Sequence, residues 1–199
     1  MLLVIESATA ACSVALLDRG RVEGELHEML GRGHAERLVP MIDDLLRGRR
    51  PSGILVDCGP GSFTGVRVGL AAAHGLAIGW GVPLAGYTST ALIAVQAVAA
   101  EIGVALVGGH GELFVQSFAN DPLAARDEVR ALPPAAAGAA VSAELVLGSG
   151  AQSLVEARGY GTWVEAFPRA RDAGRLPEPL RALRPLPLYG RAPDAKPMT

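Results

Sequence analysis

The stretch Asp57-Cys58-Gly59-Pro60-Gly61-Ser62-Phe63-Thr64-Gly65-Val66-Arg67-Val68-Gly69 constrains this chain most. The apolar run Gly53-Ile54-Leu55-Val56, patterned as a buried strand, leads into it, and an apolar run of helical period leads out. Strand, glycine-rich turn and helix start are the parts of a phosphate-cradling loop. In such a loop Gly61, Ser62, Thr64 and the free N–H groups of the helix start would hold the anion. They are also the parts of any tight strand-to-helix turn. No Lys-Ser/Thr pair follows the last glycine, and no acidic residue follows at dinucleotide-site spacing. The turn alone leaves both readings open.

Around it the pattern is β-β-β-α-β-α. Met1–Ile5 and Ser13–Leu17 read as strands, Asp18-Arg19-Gly20-Arg21 as a hairpin turn, and Val22–Leu30 as a third, more polar strand. His34–Arg47 has the helical period, with Leu38, Met41, Ile42 and Leu45 on one stripe and Pro40 inside it, either as a kink or as the true first turn. Gly65–Ile78 is a helix apolar nearly all round, with Gly65, Gly69, Ala73 and Ala77 in a small-residue row. Such a helix is either fully buried or shared with a partner. Leu84 begins a short strand and Thr88 caps a helix expected over Ser89–Ala100.

The chain changes character beyond residue 103. Val104–Val107 and Leu113–Phe118 form a hairpin pattern, Pro122–Ala140 is Ala/Pro-rich, and Val141–Leu147 leads into a second glycine turn, Gly148-Ser149-Gly150-Ala151. The two glycine turns stand at analogous places in two halves. The expected organisation is a first lobe over 1–102, a smaller second lobe over 103–185 and a tail over 186–199.

With 199 residues, half of them hydrophobic, the chain can bury a sizeable core. A net charge of −2 gives no global attraction to nucleic acid, so any RNA contact needs a local patch or another protein. Two cysteines, Cys12 and Cys58, make no disulfide framework and fit buried thiols in a reducing cytoplasm. The apolar start lacks a basic n-region and alternates, so it reads as a strand rather than a signal peptide. The run 84–100 carries too many polar residues for a membrane span. Glu6-Ser7-Ala8-Thr9, an acid at a strand end followed by small hydroxyl residues, fits either a metal-phosphate site or a plain turn. Histidines 27, 34, 74 and 110 show no metal-ligand spacing. Neither Ser7 nor Cys58 has the setting of a nucleophile.

At these residues the chain resembles the TsaB (YeaZ) family of threonylcarbamoyladenosine biosynthesis proteins. The central run from Gly59 to Gly69 carries the resemblance. It is supported by Ile5-Glu6-Ser7-Ala8-Thr9, Cys12-Ser13-Val14-Ala15-Leu16, His34-Ala35-Glu36-Arg37-Leu38-Val39-Pro40 and Pro83-Leu84-Ala85-Gly86-Tyr87-Thr88-Ser89, with weaker echoes down to Leu188-Tyr189-Gly190-Arg191. The resemblance implies an α/β, actin/Hsp70/sugar-kinase-like fold of two lobes, a first ribonuclease-H-like lobe and a reduced second one. It implies a non-catalytic cytoplasmic subunit that dimerises with and activates a TsaD-like catalytic paralogue, helps recruit a TsaE-like ATPase, forms a homodimer when alone and meets tRNA only through the complex. ATP and metal would sit on the partner subunits, with none here. The interface would comprise Leu38, Met41, Ile42, Leu45, Gly65, Arg67, Gly69 and Ala73. A vestigial nucleotide site would comprise Glu6, Ser7, Gly61 and Ser62. Glu6 stands where the superfamily has Asp, and Gly108-Gly109-His110 where the family has an Asp-Ala-Arg-like run, which weakens nucleotide binding. The alternatives are an ATP-dependent enzyme of the sugar-kinase-like superfamily and a metallopeptidase-like protein, the latter needing a metal site that the histidine spacing does not provide.

Overall fold

The apolar run Leu2–Glu6 becomes β1, the centre of a five-stranded sheet. The structure, a computed structural model, describes residues 1–189. Ala11–Asp18 (β2) and Arg21–Met29 (β3) complete an antiparallel meander with β1. Between them Arg19 and Gly20 both adopt positive φ, 50° and 80°, as a tight hairpin turn that follows strand twist requires. His34–Leu46 (α1) follows, then Gly53–Asp57 (β4), Phe63–Trp80 (α2), Leu84–Tyr87 (β5) and Ser89–Ala94 (α3). β4 lies parallel to β1, and β5 parallel to β4.

α1 runs through Pro40. That residue sits on the exposed face, where the carbonyl that loses its partner reaches solvent. α3 is shorter than the expected Ser89–Ala100. Past Ala94 the Gln96 side chain donates to the carbonyls of Leu92 and Phe167 (3.3 and 2.9 Å), and Val98 is 91% exposed, so no apolar face continues the helix.

The second sheet repeats the plan with shorter strands. Glu101–Val107 (β6), Leu113–Ala119 (β7) and Ala124–Ala125 (β8) form the meander, and Arg130–Leu132 (β9) also pairs with β7. Then come Pro134–Ala140 (α4), Leu145–Leu147 (β10) parallel to β6, Ala151–Arg158 (α5) and Thr162–Val164 (β11) parallel to β10. The strand expected from Val141 shrinks to Leu145–Leu147 because the Arg158 guanidinium takes the carbonyls of Val141 and Ala143. The sheet orders, β3-β2-β1-β4-β5 and β8-β7-β6-β10-β11, are the same arrangement twice. This is the actin/Hsp70/sugar-kinase-like α/β fold. The turns 59–65 and 148–151 occupy equivalent places, each leading from the fourth strand into the helix after it.

α1 and α2 cover one face of the first sheet. Its other face shares a core with α3 and the second sheet, through Val4, Tyr87, Leu92, Ile102 and Phe118. α4 and α5 cover the far side of the second sheet.

The chain then returns to the first lobe. The 3-10 segment Ala170–Arg175 packs on the β1–β3 meander, where Ala170 N–H donates to Ser13 Oγ at 3.1 Å and Arg169 pairs with Glu25 at 2.8 Å. Residues 183–189 strap the open edge of β5, with Gly86 and Leu183 exchanging backbone bonds of 2.8 and 3.0 Å. The part of the second-lobe range that follows residue 168 therefore packs on the first sheet. Of the expected tail, residues 190–199 lie outside the described residues.

Candidate functional site

The turn after β4 is built against the end of β1. Ser62 caps α2, its Oγ accepting from Gly65 N–H at 3.3 Å, while its own N–H donates to Ala8 O at 2.6 Å. Ser7 hydroxyl donates to Gly65 O at 2.9 Å. A Cβ on Gly61 would collide with Ala8 O, one on Gly65 with Ser7 O and one on Gly69 with Ser7 Oγ. The small-residue row therefore lets α2 approach the chain's own β1 end, and not another molecule.

This corrects the expected interface. Leu38, Met41, Ile42, Leu45, Gly65, Gly69 and Ala73 are all buried in this chain's own core, on α1 and α2. Periodicity identifies a buried stripe but not what buries it. Of the expected interface residues, Arg67 is exposed.

Beneath the turn lies a buried acid pair. Glu6 ends β1 and Asp57 ends β4, on adjacent parallel strands, and both are solvent-inaccessible or nearly so. Asp57 Oδ1 accepts from Gly59 N–H at 2.7 Å and Oδ2 from Ser89 hydroxyl at 2.5 Å. Glu6 Oε1 accepts from Ala8 N–H at 2.9 Å, whereas Oε2 meets no other donor among the described residues. The two buried carboxyls interact, and their interaction favours the protonated form of Glu6. Burial, then the Asp57 charge, push Glu6 well above the usual carboxylate range; burial also raises Asp57. The proton is thus favoured on Glu6, while Asp57 accepts from Gly59 and Ser89. Tyr87, whose hydroxyl donates to Ile5 O at 2.8 Å, closes the wall, and burial raises its pKa.

Sequence reasoning missed Asp57 and Ser89. The available signal was an acid ending a wholly apolar strand directly before a glycine turn. Glu6 and Ser7 do not line the inter-lobe cleft, which corrects their place in the expected nucleotide site. Gly61 and Ser62 do line it, facing Gly108, Gly109 and Ser149 across about 460 Å³. Among the described residues no charged side chain lines this cleft. Among the described residues no group of three or more His, Cys, Asp or Glu is placed to hold a metal ion.

Comparison with known proteins places this architecture. The chain is 35% identical over 129 residues to the tRNA threonylcarbamoyladenosine biosynthesis protein TsaB of Escherichia coli, covering 60% of this chain and 55% of that protein. It is 46% identical over 88 residues to TsaB of Haemophilus influenzae, covering 42% and 37%. The chain thus spans about half or less of the length of these two curated relatives. A Pseudomonas aeruginosa crystal structure described as similar to peptidase YeaZ superposes with a TM-score of 0.80 at 28% identity, covering 96% of this chain and 99% of that one. The model of the family described as tRNA N6-adenosine threonylcarbamoyltransferase (TsaD) matches residues 22–144. The chain belongs to this family, in its TsaB (YeaZ) branch.

In this TsaB-family chain the surface left free on the helix pair differs from the expected one. The outward face of α2 presents Thr64, Ala71, Gly75, Ile78 and Gly79, with Ile78 82% exposed and with Arg67 and His74 exposed along one edge. A Cβ on Gly75 or Gly79 would meet nothing within 4 Å. Val39, 56% exposed, and Pro40 lie on the free face of α1. No helix among the described residues is long and apolar enough to cross a membrane.

Proposed function

We propose that this chain is a non-catalytic subunit of the cytoplasmic assembly that forms threonylcarbamoyladenosine in tRNA, docking on a TsaD-like catalytic subunit and activating it. The supporting observation is the outward face of α2, a row of Ala71, Gly75 and Gly79 flanked by the exposed Ile78, with the charge of Arg67 at its edge. Small residues on a free helix face let a second helix pack closely, and an apolar, charge-free centre is what a protein interface desolvates. The same face would pair two copies when the catalytic subunit is absent. Recruitment of a TsaE-like ATPase belongs to the assembled complex.

The reading as an ATP-dependent enzyme draws support from the inter-lobe cleft. The cleft's uncharged lining weighs against it, and calorimetry with Mg-ATP should give no tight binding.

The deciding experiment is co-expression with the TsaD paralogue, size-exclusion chromatography and a tRNA-modification assay. Gly75→Trp adds a ring where nothing stands within 4 Å, so the fold should persist while pairing and modification are lost. A folded Gly75→Trp chain that still co-purifies sinks this interface.

A further inference from the structure

The flank of α2 beside the C-terminal strap carries a cluster used by neither the cleft nor the docking face. The Arg67 guanidinium lies 3.7 Å from the centre of the Phe63 ring and 5.7 Å from that of Tyr189, and the two ring centres are 5.5 Å apart. Arg67 Nε donates to the Tyr189 hydroxyl at 3.1 Å. Among the described residues nothing engages its two terminal nitrogens. Phe63 and Tyr189 remain 56% and 37% exposed. Further along the helix His74 Nε2 bonds Pro185 O at 3.2 Å, and the residue before Pro185 in the strap is the exposed Arg184. No acidic residue occurs between Asp57 and Glu101, nor over residues 179–189. Among the described residues no carboxylate bonds Arg67, so this flank combines guanidinium donors with part-exposed rings.

We propose that this flank contacts unpaired RNA nucleotides. A splayed base stacks on the open face of Phe63 or Tyr189, and Arg67 and Arg184 hold the neighbouring phosphates. Base stacking on aromatic rings beside cationic groups is how single strands are bound. A chain of net charge −2 has no global pull on RNA, so contact must come from such a local patch. Aromatic and arginine clusters also serve protein interfaces. The guanidinium of this one, bonded by no carboxylate among the described residues, matches a polyanion. That the RNA is a tRNA rests on the functional reading above; a direct contact from this chain goes beyond it.

The test is fluorescence anisotropy with a labelled tRNA transcript across a salt series, on the chain alone and on its complex with the TsaD-like subunit. Arg67→Glu and Tyr189→Ala should each weaken binding about tenfold. Arg67→Glu should also lower the slope of log affinity against log salt by about one. An unlabelled single strand should compete and a blunt RNA duplex should not. Circular dichroism melts check that these exposed substitutions leave the fold unchanged. Wild-type affinity and slope in both variants, equal competition by the duplex, or no RNA binding by either form overturns the proposal. Variants that lose pairing but keep RNA binding assign the flank to a protein contact and overturn it as well. A wild-type chain that fails to pair refutes the functional reading separately, because the variants are still compared on the chain alone.

Discussion

Glu6 and Asp57 show how one proton can be part of a fold. Two buried acceptors side by side are stable only when one of them donates, and burial makes the neutral donor the cheaper choice. Since folding raises the Glu6 pKa above its ordinary 4.5, the folded chain holds a proton that the unfolded chain releases. The stabilisation is therefore complete below pH 4.5 and is lost as pH rises towards the folded value. The raised Asp57 acts in the same direction. Glu6→Gln keeps a donor towards Asp57 and cannot ionise. Urea denaturation from pH 5 to 9 should show wild-type stability falling with pH while the variant stays flatter and overtakes it; parallel curves would mean the shared proton is absent. Ser89→Ala removes the 2.5 Å donor to Asp57 and should cost about 2 kcal/mol by the same measurement.

At the scale of the element, α2 has two small-residue faces with opposite demands. Gly65 touches the Ser7 backbone, which cannot move aside, whereas Gly75 faces open space. Gly65→Ala should destabilise by about 1–3 kcal/mol through overpacking. Gly75→Ala should stabilise by roughly 0.5–1 kcal/mol, because only the backbone entropy of glycine is removed. Thermal melts of the two variants moving the same way would contradict this assignment of faces. The helix itself was legible in the sequence, since its period is local, although capping by Ser62 starts it at Phe63 rather than at the expected Gly65. Which small row faced inward was not, because the deciding neighbour, Ser7, lies 58 residues from Gly65 and spacing along a helix carries no record of it. The acid pair was hidden for the same reason. Each carboxyl reads alone as a strand end, and only the parallel pairing of β1 with β4 brings them together.

Over the whole molecule, the first lobe could be read because its contacts come in sequence order: meander, helix, strand, helix. The repeated plan showed only as a pair of glycine turns, because β10 and β11 are three residues each, too short for alternation to register. The strap was illegible altogether, as its partners lie about a hundred residues earlier. Leu188 N–H donates to Cys58 O at 2.7 Å, the Cys58 thiol lies 3.6 Å from Arg184 O, and a Cβ on Gly59 would come within 2.8 Å of Leu188 O. The strap thus seals the start of the glycine turn. Burial pushes the Cys58 thiol up to about 12 and Cys12 up to about 11, so both should resist alkylation in the intact chain. Ending the chain after Ala182 should expose Cys58 to iodoacetamide while Cys12, buried under α1 and β3, keeps its intact-chain rate. Mass spectrometry of the labelled peptides distinguishes the two sites. If Cys58 in the shortened chain reacts no faster than in the intact one, the strap is not its cover; if both cysteines accelerate together, the strap holds the whole first lobe folded rather than sealing one turn.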